Sequence, residues 1–576
     1  MQAKHPANVL PEDIEWLAIN WQKAFRILKN LRSRIFRAAQ EGNLKRLRSL
    51  QKLMLRSYSN TITSVRKVTQ TNAGKYTPGV DQKIICTSAG RSRMTKEILS
   101  FQPWKAKPTR RIYIPKSNGK KLRPLGIPVI KDRCLQAMVV NALEPEWESK
   151  FEASSYGFRP GRGCHDAIAR IFNLANPAKT RSWVIDADIK GAFDNIDHHY
   201  LLNTIGSFPG KNLIRQWLKA GYMEGLKLNP TEHGTPQGGV CSPLLANIAL
   251  HGLEKALGIG YRKGHRTTGE FRLVRYADDF VIFCPSKDSA IQTVKKVKEW
   301  LTIRGLELSQ EKTRIVNISE GFNFLGFNIR QYPSKAKRLK HILLIRPNKE
   351  STQKIRDRIK GIWLDNKTTP VDKLVTMLNP IIRGWTNYFR IGVSKKTFAG
   401  LDRWMFHRAW RHAQRKHPHK SATWRVRKYW GRINLDRQDK WVFGDKKTGD
   451  HLLKFQWTKI QRHIMVKRTY SPDDPTLKDY WLNRKKKEAS SLTPSKQKMA
   501  KRQNYICPVC NHTLLNDEEL HIHHKVPKAK GGEDKYHNLL LVHETCHIQI
   551  HSSVYHTKAI QKGVLAVSRL LEPDVS

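Results

Sequence analysis

Apolar residues recur at alternating three- and four-residue steps early in the chain. Ile14, Leu17, Trp21, Ala24, Leu28, Leu31 and Ile35 form one stripe, the period of an amphipathic helix. The pattern predicts helix over 11–58: Pro11, Glu12 and Asp13 suit its start, and a second stretch runs through Leu47, Leu50, Leu53 and Leu55. Over 75–180 the pattern predicts short strands alternating with polar turns, with a hairpin turn at Lys116-Ser-Asn-Gly-Lys-Lys121. Residues 183–330 mix strands and helices. There Phe271-Arg-Leu-Val-Arg275 and Phe280-Val-Ile-Phe-Cys284 flank Tyr276-Ala-Asp-Asp279, a hairpin with acids at its tip. From 350 to 440 the pattern is helical, basic and rich in tryptophan, with Trp404, Trp410, Trp424 and Trp430 among Arg403, Arg408, Arg411, Arg415, Arg425 and Arg427. Such interleaving serves backbone contacts and base stacking, although tryptophan on an amphipathic helix also serves a core. Residues 440–482 are less regular, and Arg484-Lys-Lys-Lys487 opens a Ser/Thr/Pro/Lys stretch to 503 that reads as a linker. The whole predicts an α+β multidomain chain.

Composition narrows the class. A chain of 576 residues exceeds what one core supports. Lys plus Arg total 105 against 48 Asp plus Glu, a formal charge of +57, and mean hydropathy is −0.58. An imbalance sustained along the whole chain points to a polyanionic partner, nucleic acid by default. No apolar run approaches a membrane span, and Met1-Gln-Ala-Lys-His-Pro6 lacks the apolar core of a secretion signal. Eight dispersed cysteines form no disulfide framework, which suits a reducing compartment. The expected location is cytoplasmic and nucleic-acid associated, of bacterial type, with an organelle also compatible.

Asp278 and Asp279 repel and lose hydration at a hairpin tip unless a cation sits between them; divalent metal for phosphoryl chemistry is the natural one. A third carboxylate comes from Trp183-Val-Ile-Asp-Ala-Asp188, where Asp186 and Asp188 share one strand face.

With these acids, the surroundings over 75–330 resemble reverse transcriptases. Asp188, five residues before Phe193, resembles the first metal-binding carboxylate and the aromatic gate against ribose; Asp186 is the reserve candidate. Gly234-Thr-Pro-Gln-Gly-Gly-Val-Cys-Ser-Pro243 resembles the motif holding templating pair and incoming nucleotide, with Gln237 as hydrogen-bonding group. Lys116 and Arg123 resemble the triphosphate-gripping residues, Lys312 the lysine beside pyrophosphate, and Phe322-Asn-Phe-Leu-Gly-Phe327 the primer grip. The resemblance implies two Mg²⁺ ions bridged by Asp188 and Asp278, with Asp279 nearby, and dNTP substrates. Arg123-Pro-Leu-Gly-Ile-Pro128, Tyr156-Gly-Phe-Arg-Pro-Gly-Arg162 and Arg383-Gly-Trp-Thr-Asn-Tyr-Phe389 narrow it to group II intron-encoded proteins. That implies a right-hand polymerase: a helical N-terminal extension (1–75), fingers (76–182), a palm with an antiparallel sheet (183–345) and an α-helical thumb or maturase domain (346–440). A basic DNA-binding region and linker (441–503) and a small nuclease domain (504–576) follow. It also implies a ribonucleoprotein that binds intron RNA, assists splicing and copies that RNA into DNA at a target site.

Cys507-Pro-Val-Cys510 and His543-Glu-Thr-Cys546 offer four ligands for a closed tetrahedral Zn²⁺ site; a lone C-x₂-C would also fit a redox pair, and the second pair favours zinc. Between and after them, His521-Ile-His-His-Lys-Val-Pro527, Gly531-Gly532, His537-Asn538-Leu539 and Cys546-His547-Ile-Gln-Ile-His551 resemble the ββα-metal motif of HNH nucleases. The resemblance implies His523, His547 and His551 as ligands of Mg²⁺ or another divalent ion, His524 as general base and Asn538 as the residue orienting it. The rivals are a non-catalytic RNA chaperone, a zinc finger that only binds DNA, and a reverse transcriptase of an unrelated element.

Overall fold

The computed structural model describes residues 14–552 apart from 116–121, 178–180, 263–266, 335–340, 489–491 and 517. Pro11, Lys116 and the predicted hairpin turn lie outside the described residues. The α+β class is as expected.

The N-terminal stripe folds as helices, but in pieces. A short turn at Trp16–Ala18 precedes α1 (Trp21–Gln40), α2 (Leu44–Arg56) and α3 (Tyr58–Arg66). The first long helix starts where the Asn20 side chain accepts from the Lys23 amide at 2.9 Å, the preferred N-cap chemistry. It stops at Gly42, whose φ of +67° breaks the helix before the second stretch begins, so the helical expectation is met in separate pieces.

The expectation of alternating strands over 75–180 is corrected. A single antiparallel hairpin, β1 (Thr109–Pro115) and β2 (Leu122–Ile127), stands among helices that include α4 (Ile130–Glu148) and α5 (Cys164–Leu174). Fifteen residues of α4 are buried. A helix covered nearly all round has no polar face to reveal its period.

The central sheet comprises β3 (Trp183–Asp188), β4 (Arg272–Tyr276), β5 (Asp279–Cys284) and β6 (Arg314–Asn317), antiparallel throughout in the order β6-β3-β5-β4. Its two faces enter different cores. Ile185, Phe280 and Ile282 join one; Val184, Val281 and Phe283 join the other. The second core continues through a three-stranded sheet, β7 (Phe322–Phe324), β8 (Phe327–Pro333) and β9 (His341–Pro347), into helices α6 (Lys349–Asp365), α7 (Val371–Phe389) and α8 (Lys395–Lys416). Trp363 and Trp430 are buried there, and Trp404 and Trp410 pack against it, so the tryptophans of this region serve mainly as core. The stretch read as a linker is corrected as well: Lys478–Glu488 and Pro494–Arg502 are helical, with Met499 and Ala500 buried.

A third core joins α1 and α3 to β10 (Leu520–His524), β11 (Leu539–His543) and α9 (Glu544–Ile550). Arg66, 2% exposed, pairs there with Glu518 at 2.9 Å, and the Gln549 amide donates to the carbonyls of Leu17 and Ile19 at 3.0 Å.

Tyr276 and Asp279 pair across a two-residue loop, Ala277-Asp278. Ala277 has φ of +58°, a positive first loop position of the kind hairpins favour. Gly157 lies against it: a Cβ there would sit 2.4 Å from the Ala277 nitrogen. Gly157→Ala is therefore expected to destabilise by about 1–3 kcal/mol, the cost of overpacking, seen as a lowered Tm. An unchanged Tm would contradict this contact.

Candidate active sites

The sheet register aligns the acids. Asp188 at the end of β3 stands opposite Asp279 at the start of β5, one residue beyond Asp278. Asp279 hydrogen-bonds Asp188, and its carboxyl is pushed up to about 8 by burial, by that bond and by the charges of Asp278 and Asp188. Asp278 is raised by burial and by Asp188, while Lys312 and Arg123 pull it back. The Lys312 ammonium donates to Asp188 at 2.6 Å. Asp186 faces Arg314 across the sheet; burial and then Asp188 push it up to about 6, partly offset by Arg314.

Three carboxylates that need a shared proton and a lysine to coexist have the charge and oxygen donors a hard divalent ion requires. Asp188, Asp278 and Asp279 are the residues that would hold it. Such an ion supplies charge neutralisation at a phosphoryl group.

A carboxyl titrating above its unfolded value stabilises the metal-free fold while protonated, and that stabilisation is lost as pH rises through the folded pKa. Metal-free protein is therefore expected to lose Tm progressively from about pH 4 to pH 8, between the ordinary carboxylate value and the Asp279 value of 8, and to level off above it. Added Mg²⁺ should raise Tm more at pH 9 than at pH 6.5, and Asp279→Asn should flatten the difference. Thermal melts with and without Mg²⁺ check it; an equal Mg²⁺ effect at both pH values would refute it.

Phe193 lies beneath Phe158, ring centroids 6.1 Å apart, edge to face. Phe158, in a left-handed backbone at φ of +57°, is a neighbour that sequence reasoning missed. The Gln237 amide donates to Asp194 at 3.2 Å, and the Gly126 amide donates to the Gln237 carbonyl at 2.7 Å. Gly234, at φ of +82°, leaves 2.4 Å between a would-be Cβ and the Asp194 carbonyl, so the glycines let this loop press against the segment after β3. Arg123 sits on β2 opposite Ile114.

A buried arginine holds the catalytic turn. Arg275, 1% exposed, donates through Nη1 to Asn247 Oδ1 and the Ala277 carbonyl, each at 3.2 Å; Asn247 Nδ2 donates to the Gly157 carbonyl at 2.8 Å.

In the C-terminal region, β10, β11 and α9 bring His523, His547 and His551 within 4.8 Å of one another. His523 is 4% exposed, and neither ring nitrogen has a hydrogen-bond partner. Burial, then the charges of His547 and His551, push it down to about 4. A neutral, orphaned buried imidazole beside two others fits a metal ligand set. His524 turns to the other side of the strand and bonds Asp534 at 2.7 Å. The expected contact from Asn538 is corrected: its amide accepts from the Val526 N–H at 2.8 Å and donates to the Val526 and Glu533 carbonyls. Asn538 braces the loop, and Asp534 orients the ring. Asp534 in an exposed Gly-Gly-Glu-Asp loop carries no sequence signal of that contact.

Cys507, Cys510, His543 and Cys546 are all buried, with ligand atoms within 4.8 Å of one another. His543 Nδ1 lies 3.4 Å from Cys510 Sγ, and Nε2 lies 3.1 Å from the Thr513 carbonyl. Donation from Nε2 to that carbonyl leaves Nδ1 for a metal, the usual outer-shell arrangement. The buried Cys₃His set is compatible with zinc.

Four stretches of the chain match known protein families. Residues 114–329 match the reverse transcriptase (RNA-dependent DNA polymerase) family, and residues 16–98 match the N-terminal domain of reverse transcriptase. Residues 352–430 match the group II intron maturase-specific domain, and residues 507–553 match HNH endonuclease. Protein YkfC of Escherichia coli (strain K12) is 33% identical over 322 residues, 49% of this chain and 84% of that protein. Group II intron-encoded protein LtrA of Lactococcus lactis subsp. cremoris is 36% identical over 283 residues, 39% of this chain and 47% of LtrA, so the match spans about half of LtrA. Among solved structures, telomerase from Candida albicans with a telomeric RNA fragment aligns at a TM-score of 0.31 and 12% identity over 56% of this chain and 59% of that one, too weak a likeness to bear on the fold. Among the described residues no helix is long and apolar enough to cross a membrane.

Proposed function

Because the chain belongs to the group II intron-encoded reverse transcriptases, with maturase-specific and HNH endonuclease domains, we propose that it nicks DNA and extends the new 3′ end on intron RNA. The observation carrying this reading is the convergence of Asp188, Asp278 and Asp279 at one end of a sheet. As an RNA-directed DNA polymerase, its own residues divide the work. Arg123 and Lys312 bind the triphosphate and its departing pyrophosphate, with Lys116 as a further phosphate ligand. Phe193, backed by Phe158, packs under the sugar and leaves no room for a 2′-hydroxyl. Gln237 and the glycines around it support the templating pair. Two Mg²⁺ ions bound by the carboxylates would supply the charge neutralisation of phosphoryl transfer.

As a DNA endonuclease, the chain uses His524 to take a proton from the attacking water while Asp534 fixes the ring. His523, His547 and His551 would hold a divalent ion that neutralises the scissile phosphate, and zinc held by Cys507, Cys510, His543 and Cys546 would tie the 507–510 knuckle to the end of β11 and to α9. Splicing assistance and retrohoming follow from an intron RNA partner, in a ribonucleoprotein that works where nucleic acid is, the cytoplasm of a bacterial-type cell. The rival, an RNA chaperone without catalysis, has no use for three acids arranged this way.

Primer extension separates the two. Purified protein is expected to extend a DNA primer on an RNA template with dNTPs and Mg²⁺, and Phe193→Ala should admit rNTPs, lowering sugar discrimination by on the order of 10²-fold. No extension under any metal condition would leave the chaperone.

A further inference from the structure

We propose that a cavity away from the carboxylates, between residues 161–166 at the start of α5, the C-terminal end of α7 and residues 461–487, binds the phosphodiester backbone of a nucleic-acid strand. The cavity holds about 850 Å³ and is lined by five cations, Arg162, Arg390, Arg462, Arg484 and Lys487, against a single lining carboxylate, Asp166, among the described residues. Asp166 is already engaged: it accepts from His463 Nε2 at 3.0 Å, from the Val466 amide at 2.7 Å and from Arg484 Nη2 at 2.9 Å.

The other guanidinium groups bond carbonyls. Arg462 Nη1 donates to Ile391 at 3.0 Å, Arg390 Nε to Lys459 at 3.3 Å, and Arg162 to Arg468 and Tyr470. A carbonyl satisfies an N–H and leaves the charge uncompensated. Arg162 keeps Nε and Nη1 buried without a partner, and burial, then Arg159, pushes its pKa down to about 10. The neighbouring Arg159 spends its charge on Glu148 in a buried pair at 2.9 Å. Among the described lining residues the cavity therefore carries an excess of positive charge, which suits an external anion.

Phosphodiester is the anion that fits. Arginine forks match its paired oxygens, and the space exceeds one phosphate several-fold, as a run of backbone requires. The place also suits a strand: α5, which starts at Cys164, packs on β4, and β4 ends at Tyr276 beside the catalytic turn. The cavity and the catalytic turn are thus joined through one helix and one strand. This inference rests on the proposed polymerase reading for its choice of ligand, and its test reads binding alone.

Arg462 and Lys487 are exposed, so Arg462→Glu/Lys487→Glu should melt at the wild-type temperature. The full-length variant would be titrated by fluorescence anisotropy with single-stranded RNA, single-stranded DNA and an RNA–DNA hybrid over a range of salt. Lys45→Glu/Lys52→Glu on α2 serves as the reference for a general loss of charge. The expected result is an affinity at least ~10-fold below that reference for one or more probes, with the slope of log K against log salt reduced by about 1–2. The probe most affected identifies the strand. Affinity equal to the reference variant for all three probes overturns the proposal. Asp278→Ala keeps the cavity and should bind as wild type while failing to extend, so failure of the polymerase reading is seen separately.

Discussion

Asp278→Ala is expected to lower dNTP incorporation by at least ~10³-fold, the scale on which removing one preorganised charge-stabilising group from an active site is felt, while DNA nicking continues at the wild-type rate. Asp278 is the second residue of a two-residue loop whose backbone is fixed by Arg275 and abutted by Gly157. Alanine fits that loop without moving it, so the loss is of carboxyl oxygens and not of the turn. Removing Asp278 also removes one of the charges that raise Asp279, so the variant should bind divalent ion weakly without losing stability. The nuclease stays active because its histidines sit on β10 and α9, in a different core from the catalytic sheet. Primer extension and nicking of labelled duplex, measured on one preparation, check the expectation. Loss of both activities would mean that the sites are not separable.

What could be read from the residues follows from how local the responsible physics is. The hairpin from 271 to 284 was legible because two apolar, β-rich runs and the short acidic turn between them are encoded within fourteen positions. The Cys₃His set was legible because ligand spacing on a knuckle is itself local. Asp188 was legible only with the family resemblance, since strand period alone left Asp186 equal to it; the register supplies the physical difference, Asp188 against Asp279 and Asp186 against Arg314. What was illegible depends on distant partners. No pattern in Gly157 announces Ala277 as its neighbour, and α4 hides its period because it is buried nearly all round. Arg66 looks like one more basic residue in a basic chain, yet it is the buried counter-charge of Glu518, 452 residues away.

The nuclease can be tested by the same logic, with two variants that separate the base from its support. His524→Ala should reduce nicking by ~10²–10⁴-fold, the usual contribution of a general base, and leave extension of a supplied primer intact. Asp534→Asn should cost less, about tenfold, a loss of the order seen when an orienting partner is removed. The difference has a structural reason. Asp534 is 65% exposed and shares its carboxylate between His524 at 2.7 Å and Lys528 at 2.6 Å; hydrogen bonds from Lys528 and then His524 hold it below the usual carboxylate range, so it stays ionised at neutral pH. A screened carboxylate of this kind selects the ring's orientation and tautomer. Nicking rates at saturating metal would show the order His524→Ala far below Asp534→Asn, with Asn538→Ala separately lowering Tm because its amide braces Val526 and Glu533. Equal losses for His524→Ala and Asp534→Asn would make the carboxylate the proton acceptor, and the imidazole its prop.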